Sequence, residues 1–251
     1  MKIVDGFTFY NELKMLEFRL KELYNVVDYF IIVELSHTHA GNKKEFYFEN
    51  NKNNFIEFKD KIIHVMVNDP PNTGNSWDNE NYQRRCIDRG LQQLDLEMND
   101  LIIISDCDEI PRPEILEKLK QSEIGNTILS LEMEMYYYNF ECRQQELWYF
   151  AKILSYKKYK EINDPEIVRH TFCPIISKGG WHLSYFGDIN FIKNKIKNFA
   201  HQEFNKEIFL QDDKIQNQID NAEDLFFRMN KFKKVKIEDN HNLPNNYKLL
   251  L

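Results

Sequence analysis

The chain has 251 residues, of which 42% are hydrophobic and 29% charged; this suits one large or two small domains with a buried core and excludes disordered and fibrous classes. Its 33 Lys+Arg against 40 Asp+Glu give a formal net charge of -7, which excludes a bulk polyanion binder while leaving room for a local basic groove. No stretch approaches the ~20 apolar residues of a membrane span.

The chain opens MKIVDGFTFYNE, with neither a charged-then-apolar leader nor a small-residue cleavage site. That start, with no Asn-x-Ser/Thr acceptor anywhere, points to a cytosolic protein or to a fragment cut from something longer. Asn-, Lys- and Ile-rich usage points to an AT-rich bacterial or viral genome. The four cysteines (Cys86, Cys107, Cys142 and Cys173) form no CxxC pair, which disfavours structural zinc and a dense disulfide framework.

Residues 11–24 place Leu13, Leu16, Leu20 and Leu23 at helical spacing and predict an amphipathic helix. The run 26–34 (VVDYFIIVE) predicts a strand buried on both faces, and 61–67 (KIIHVMV) a second, closed by an Asp-Pro-Pro-Asn turn at 69–72. A helix is expected over 78–97. A third buried strand, 100–105 (DLIIIS), ends in Asp106-Cys107-Asp108-Glu109, and Pro111 and Pro113 start a helix near 114–120. In the second half, strands are expected at 127–133 and 172–176 and helices at 188–200 and 220–231. The tail from Lys233 is basic and then Asn-rich, and is expected to be loose. The alternation predicts an α/β fold with a mostly parallel sheet that binds ligands at the carboxyl ends of its strands.

Asp106, Asp108 and Glu109 crowd three carboxylates onto one turn at such an end. Packed like charges raise one another's pKa unless a cation compensates them. Two Asp at i and i+2 can converge on one hard divalent ion that keeps positions open for phosphate oxygens. The plain alternative is a solvated acidic turn, or an Asp capping the following helix.

DLIIISDCDEIPRP resembles the Asp-x-Asp region of glycosyltransferase family 17, the β-1,4-mannosyl-glycoprotein 4-β-N-acetylglucosaminyltransferase family. FTFYNELKMLEFRLKELYNVVDYFIIVE, WDNENYQRRCIDRGL, GGWHLSYFGD and KIKNFAHQEFN resemble its other blocks in family order, from about residue 5 to about residue 230. The resemblance implies a GT-A type, Rossmann-like fold: a nucleotide-sugar-binding sheet with helices on both faces and a fused acceptor-binding half. On this chain that gives a nucleotide-binding half over 1–125, an acceptor-binding half over 126–232 and a tail over 233–251. It further implies an inverting transfer from a UDP-sugar, N-acetylglucosamine being the family's sugar, to a glycan or glycoconjugate hydroxyl, with Mn2+ or Mg2+ and no nucleic-acid partner.

The same resemblance assigns residues. Asp106 and Asp108 would hold the metal against the donor diphosphate, and His201 would complete the site. Asp188, after Gly187, would be the general base, with Glu132 and Glu134 as rivals; as plain residues, Asp188 is a good helix N-cap and His201 a helix-end histidine. Gly179 and Gly180 would let the backbone approach the donor, Trp181 would offer a face to a sugar ring and His182 a hydrogen bond. Glu34 and His37 would meet the base or ribose, Asp69 the nucleotide, and Arg84 the diphosphate. Arg85 is read as a surface or salt-bridged residue, and the aromatic run 135–140 with Trp148 and Tyr149 as part core, part acceptor groove. Two other readings are a carbohydrate- or nucleotide-binding GT-A-like domain without turnover, and a magnesium-dependent aspartate-nucleophile phosphatase.

Overall fold

A computed structural model of the chain describes residues 1–71, 73–122 and 124–251, so Asn72 of the expected 69–72 turn lies outside the described residues. The strand at the centre of the parallel half is β1 (Ile3–Phe9), which hydrophobic patterning does not reveal. Asp5 and Gly6 interrupt its apolar run, yet both are buried. Asp5 is paired with Arg19, and a Cβ at Gly6 would come within 2.6 Å of Ile87 Cγ2, so only glycine lets the covering helix pack this closely.

After β1 come α1 (Leu13–Leu23), β2 (Tyr29–Leu35), α2 (Tyr47–Asn51), β3 (Ile62–Val67), α3 (Ser76–Arg85), α4 (Ile87–Leu91) and β4 (Leu101–Asp106). The four strands pair in parallel in the order β3-β2-β1-β4. Phe30 and Ile32 enter one core cluster with Leu16 and Phe18 of α1, while Ile31 and Val33 enter another with Ile87 and Leu91 of α4. Burial on both faces explains the unbroken apolar runs. The chain leaves β1 on one side for β2 and returns on its other side as β4, with Thr8 level with Asp106. Such a switch point opens a crevice beyond the strands' carboxyl ends.

The second half comprises β5 (Glu109–Pro111), α5 (Pro113–Lys120), β6 (Ile128–Tyr137), β7 (Cys142–Gln144), β8 (Lys152–Ser155), α6 (Tyr156–Ile162), α7 (Pro165–His170), β9 (Ile175–Ser184), α8 (Ile189–Asn198), α9 (Asp212–Asn221) and β10 (Phe232–Lys234). The sheet is mixed rather than mostly parallel. β8 lies between β4 and β6, antiparallel to both, because the chain between β6 and β8 holds no crossover helix. β9 pairs in parallel with β6 and antiparallel with β5. The two halves thus share one sheet.

The helix expected over 78–97 is two short helices that break at Cys86 and end at Leu91. The helix expected at 220–231 lies earlier, as α9, and stops where Ala222 turns left-handed (φ 52°). The tail is docked, not loose. β10 pairs with β7, Asn242 O accepts from Trp181 Nε1 (2.6 Å), and the Glu22 carboxylate on α1 accepts the backbone N–H groups of Asn245 and Asn246 (both 2.9 Å). Among the described residues no helix is long and apolar enough to cross a membrane.

Candidate active site

The acid turn after β4 is built on Arg19. This residue sits on the buried stripe of α1, one turn from Leu16 and Leu23, and is fully buried. Its Nε and Nη2 donate to both oxygens of Asp5 (2.8 and 2.6 Å) and Nη2 also to Ser105 Oγ (2.7 Å). Its Nη1 lies against the carbonyls of Asp106 (2.8 Å), Cys107 (3.1 Å) and Glu109 (2.8 Å). One guanidinium therefore fixes the path of the whole turn from behind, its planar fork facing six acceptor oxygens.

The turn's three carboxylates each meet a cation. Asp106 accepts from Thr8 Oγ1 (3.2 Å), Arg84 Nη2 (3.1 Å) and Arg169 Nη2 (2.6 Å). Glu109, fully buried, takes both Nη groups of Arg169 (2.8 and 2.9 Å) and the Trp148 indole N–H (2.5 Å); its role is to hold Arg169. Asp108 lies 2.8 Å from Lys195 Nζ on α8 and 3.5 Å from His182 Nε2. Burial pushes the Asp106 and Asp108 carboxyls up, but Arg169 and Arg84 at the first, and Lys195 and His182 at the second, outweigh it and hold both well below the usual carboxylate range. Both are charged at neutral pH.

Asp106, Asp108, Arg169, His182 and Lys195 line a cavity of about 550 Å³ at the switch point, with Thr8, Glu12, Glu80, Arg84, Glu166 and His201. The volume is that of a small-molecule site. A second cavity of about 730 Å³ opens at the ends of β2 and β3, lined by His37, Asn68, Asp69, Ser76 and Asn79, and His39 lines both. Arg84, Asp106, Asp108, His182 and His201 thus share the first cavity, and His37 and Asp69 the second. Asp69 is bound at both oxygens by Arg89 (2.8 Å each), and Arg85 pairs with Asp164 as a surface residue.

Several expected residues are elsewhere. Asp188 is exposed, caps α8 by accepting from Phe191 N (2.8 Å) and lines neither cavity. Glu132 and Glu134 also line neither: Glu132 accepts from Lys178 N, and Glu134 from Tyr136 Oη. Gly179, Gly180 and Trp181 are closely packed against the protein and line neither cavity. A Cβ at Gly179 would lie 2.8 Å from Leu131 Cα, one at Gly180 would strike Ile110 O, and Trp181 is buried under Arg112 (4.1 Å). Glu34 is fully buried and holds the start of α2 through Tyr47 N (2.5 Å) and Phe48 N (3.2 Å), with Lys44 beside it (3.0 Å). His201 contacts Glu203 (2.7 Å) and the edge of Trp77, and does not join the aspartates in a three-ligand set: among the described residues no group of three or more His, Cys, Asp or Glu is arranged to hold a metal.

The donor set that remains is two hard carboxylates, Asp106 and Asp108, and the Lys195 ammonium against Asp108 is a cation standing in at that seat. Glu12, Glu80, Asp106, Asp108 and Glu166 line the cavity and Glu109 lies beneath it, outnumbering the lining cations Arg84, Arg169, Lys195 and Arg228. An anionic ligand entering so acidic a cavity needs added positive charge, so the residues present fit a divalent cation held by few protein ligands.

Residues 1–234 match glycosyltransferase family 17. The rat and human enzymes named beta-1,4-mannosyl-glycoprotein 4-beta-N-acetylglucosaminyltransferase are each 26% identical over 149 residues, 57% of this chain. The chain spans 28% of the length of these relatives. Among solved structures, S. aureus TarS (residues 1–349) is similar at 13% identity and a TM-score of 0.41, over 88% of this chain and 71% of that one. Galactosyltransferase LgtC is similar at 14% identity and a TM-score of 0.36, over 64% of this chain and 60% of that one.

The turn's dependence on Arg19 is open to measurement. Arg19→Met strands the fully buried Asp5 and should lower the unfolding free energy in urea by about 3–5 kcal/mol. Adding Asp5→Leu should recover part of that loss.

Proposed function

The chain belongs to glycosyltransferase family 17, and we propose that it transfers N-acetylglucosamine from its UDP-sugar to a hydroxyl of a glycan or glycoconjugate, with inversion and with manganese or magnesium bound. The observation that carries this reading is the charged Asp106/Asp108 pair facing a cavity at the end of β4. The names of the rat and human relatives support the choice of sugar.

In this reading the nucleoside occupies the cavity beyond β2 and β3, and the diphosphate and sugar reach past His39 into the cavity beyond β4. Asp106 and Asp108 hold the metal, which when bound neutralises charge on the leaving diphosphate. Arg84 and Arg169 keep Asp106 aimed, because each is itself anchored, to Glu166 and to Glu109. His182 lines the wall, with Nε2 3.5 Å from Asp108 and Nδ1 buried without a hydrogen-bond partner among the described residues.

An inverting transfer needs one base on the acceptor side. Among the acids lining the cavity, Glu80, Glu166 and Asp108 have a basic side chain at each oxygen, an arginine or lysine at one and a histidine at the other. Glu12 differs. Its Oε2 accepts from Tyr10 N (3.1 Å) and Asn11 N (3.0 Å), which fixes the carboxylate, while among the described residues Oε1 has only Lys195 at 4.0 Å. Glu12 is therefore the carboxylate we assign to take the acceptor's proton.

Two experiments test this. UDP with manganese should raise the melting temperature by about 5 °C or more at a hundredfold excess over Kd, and Asp108→Asn should abolish the shift; a shift indifferent to manganese would contradict the reading. Glu12→Gln should keep UDP binding and cut transfer by about 10²-fold or more. Asp188→Ala should cost only a helix cap, about 1 kcal/mol of stability, with transfer intact. Normal transfer in Glu12→Gln would remove that assignment.

A further inference from the structure

We infer that Lys195 is an exchangeable counter-cation: it holds Asp108 in the free protein and releases it to a divalent cation as a diphosphate arrives to take the ammonium in return. The inference rests on the reading of Asp106 and Asp108 as the metal seat.

The three cations of the acid turn are not equivalent. Arg84 bonds Asp106, Glu80 (2.8 Å) and Glu166 (2.5 Å), and Arg169 bonds Asp106 and both oxygens of Glu109. Neither can leave without stranding further buried carboxylates, which makes their release costly. Among the described residues Lys195 has a single hydrogen-bonded carboxylate, Asp108 Oδ2 at 2.8 Å, and only the distant Glu12 besides. Its ammonium ends a flexible four-carbon stem, lines the cavity and lies 5.3 Å from the Tyr185 ring.

A cation that approaches Asp108 must therefore compete with a tethered ammonium. Displaced alone, that ammonium would keep only Glu12 at 4.0 Å, an unfavourable state for a charge in a half-buried cavity. A diphosphate arriving with the metal removes the penalty, since its oxygens accept the N–H groups that Asp108 gives up. Metal and diphosphate should thus bind cooperatively, and the coupling is reciprocal. Lys195 acts here as a positioning residue whose removal shifts the two affinities in opposite directions. A merely structural ion pair would weaken both or neither.

The experiment is a manganese titration followed by electron paramagnetic resonance, with and without saturating UDP, on wild type, Lys195→Met and Lys195→Arg, folding being checked by circular dichroism. Wild type should bind manganese at least about tenfold more tightly with UDP than without. Lys195→Met should bind manganese alone at least about threefold more tightly than wild type, and UDP at saturating manganese about tenfold more weakly. Lys195→Arg should stay close to wild type in manganese affinity, and Lys195→Gln replaces the methionine variant if the latter does not fold. Manganese affinity without UDP that is unchanged or weaker in the folded neutral variant overturns the inference, and if wild type still binds manganese with UDP the proposed function stands. Wild type that binds no manganese with UDP overturns both.

Discussion

The site depends on one guanidinium that water does not reach. Arg19 is fully buried, as is its partner Asp5, so the pair must be complete: either charge alone in that position would be expensive. Completing it brings α1, β1 and the turn after β4 to one point, because the same side chain also takes three carbonyls of the turn. The backbone of Asp106, Cys107 and Glu109 is then set before any ligand arrives. Preorganisation of this kind lets a site hold charge without rearranging at the moment of use.

On that fixed turn the chain sets carboxylates against cations of differing freedom. Glu109, itself held by the Trp148 indole N–H, locks Arg169, Glu166 and Glu80 lock Arg84, and the two arginines hold Asp106. Asp108 instead faces a lysine on a helix from the second half of the chain. The rigid side of the turn thus faces α3 and α7, and its adjustable side faces α8. A donor and a metal enter as a joint change in the charge of the adjustable side, while the rigid side keeps its geometry.

How much of this was legible in the sequence depended on whether a signal was local. The buried runs at 26–34 and 100–105 yield strands because parallel strands covered on both faces need unbroken apolar sequence, while 61–67 yields the edge strand β3, where Met66 is exposed. The acid turn stood out because three carboxylates follow such a run at once. β1 was hidden by Asp5, whose burial is bearable only through Arg19, and by Gly6, whose reason is the packing of Ile87. Arg19 itself carried a signal, a charged residue at helical spacing on the apolar stripe of Leu16 and Leu23. Arg169, Glu166 and Lys195 carried none, for they reach the turn from helices distant in sequence. Gly179, Gly180 and Trp181 read as a ligand loop from their neighbours alone, whereas strand pairing with β5 and β6 uses the glycines for close packing. Asp188 and His201 took their roles from family order, and their surroundings, a helix N-terminus and a Glu203 contact, do not bring them to the aspartates.

The central claim is that Asp106 and Asp108 seat a divalent cation that joins the protein to a nucleoside diphosphate. The most direct measurement is an anomalous-difference map from a crystal grown with UDP and manganese. The account predicts a manganese peak against Asp108, with the Lys195 ammonium moved onto the diphosphate. UDP bound with no peak there, and Lys195 still on Asp108, would contradict it.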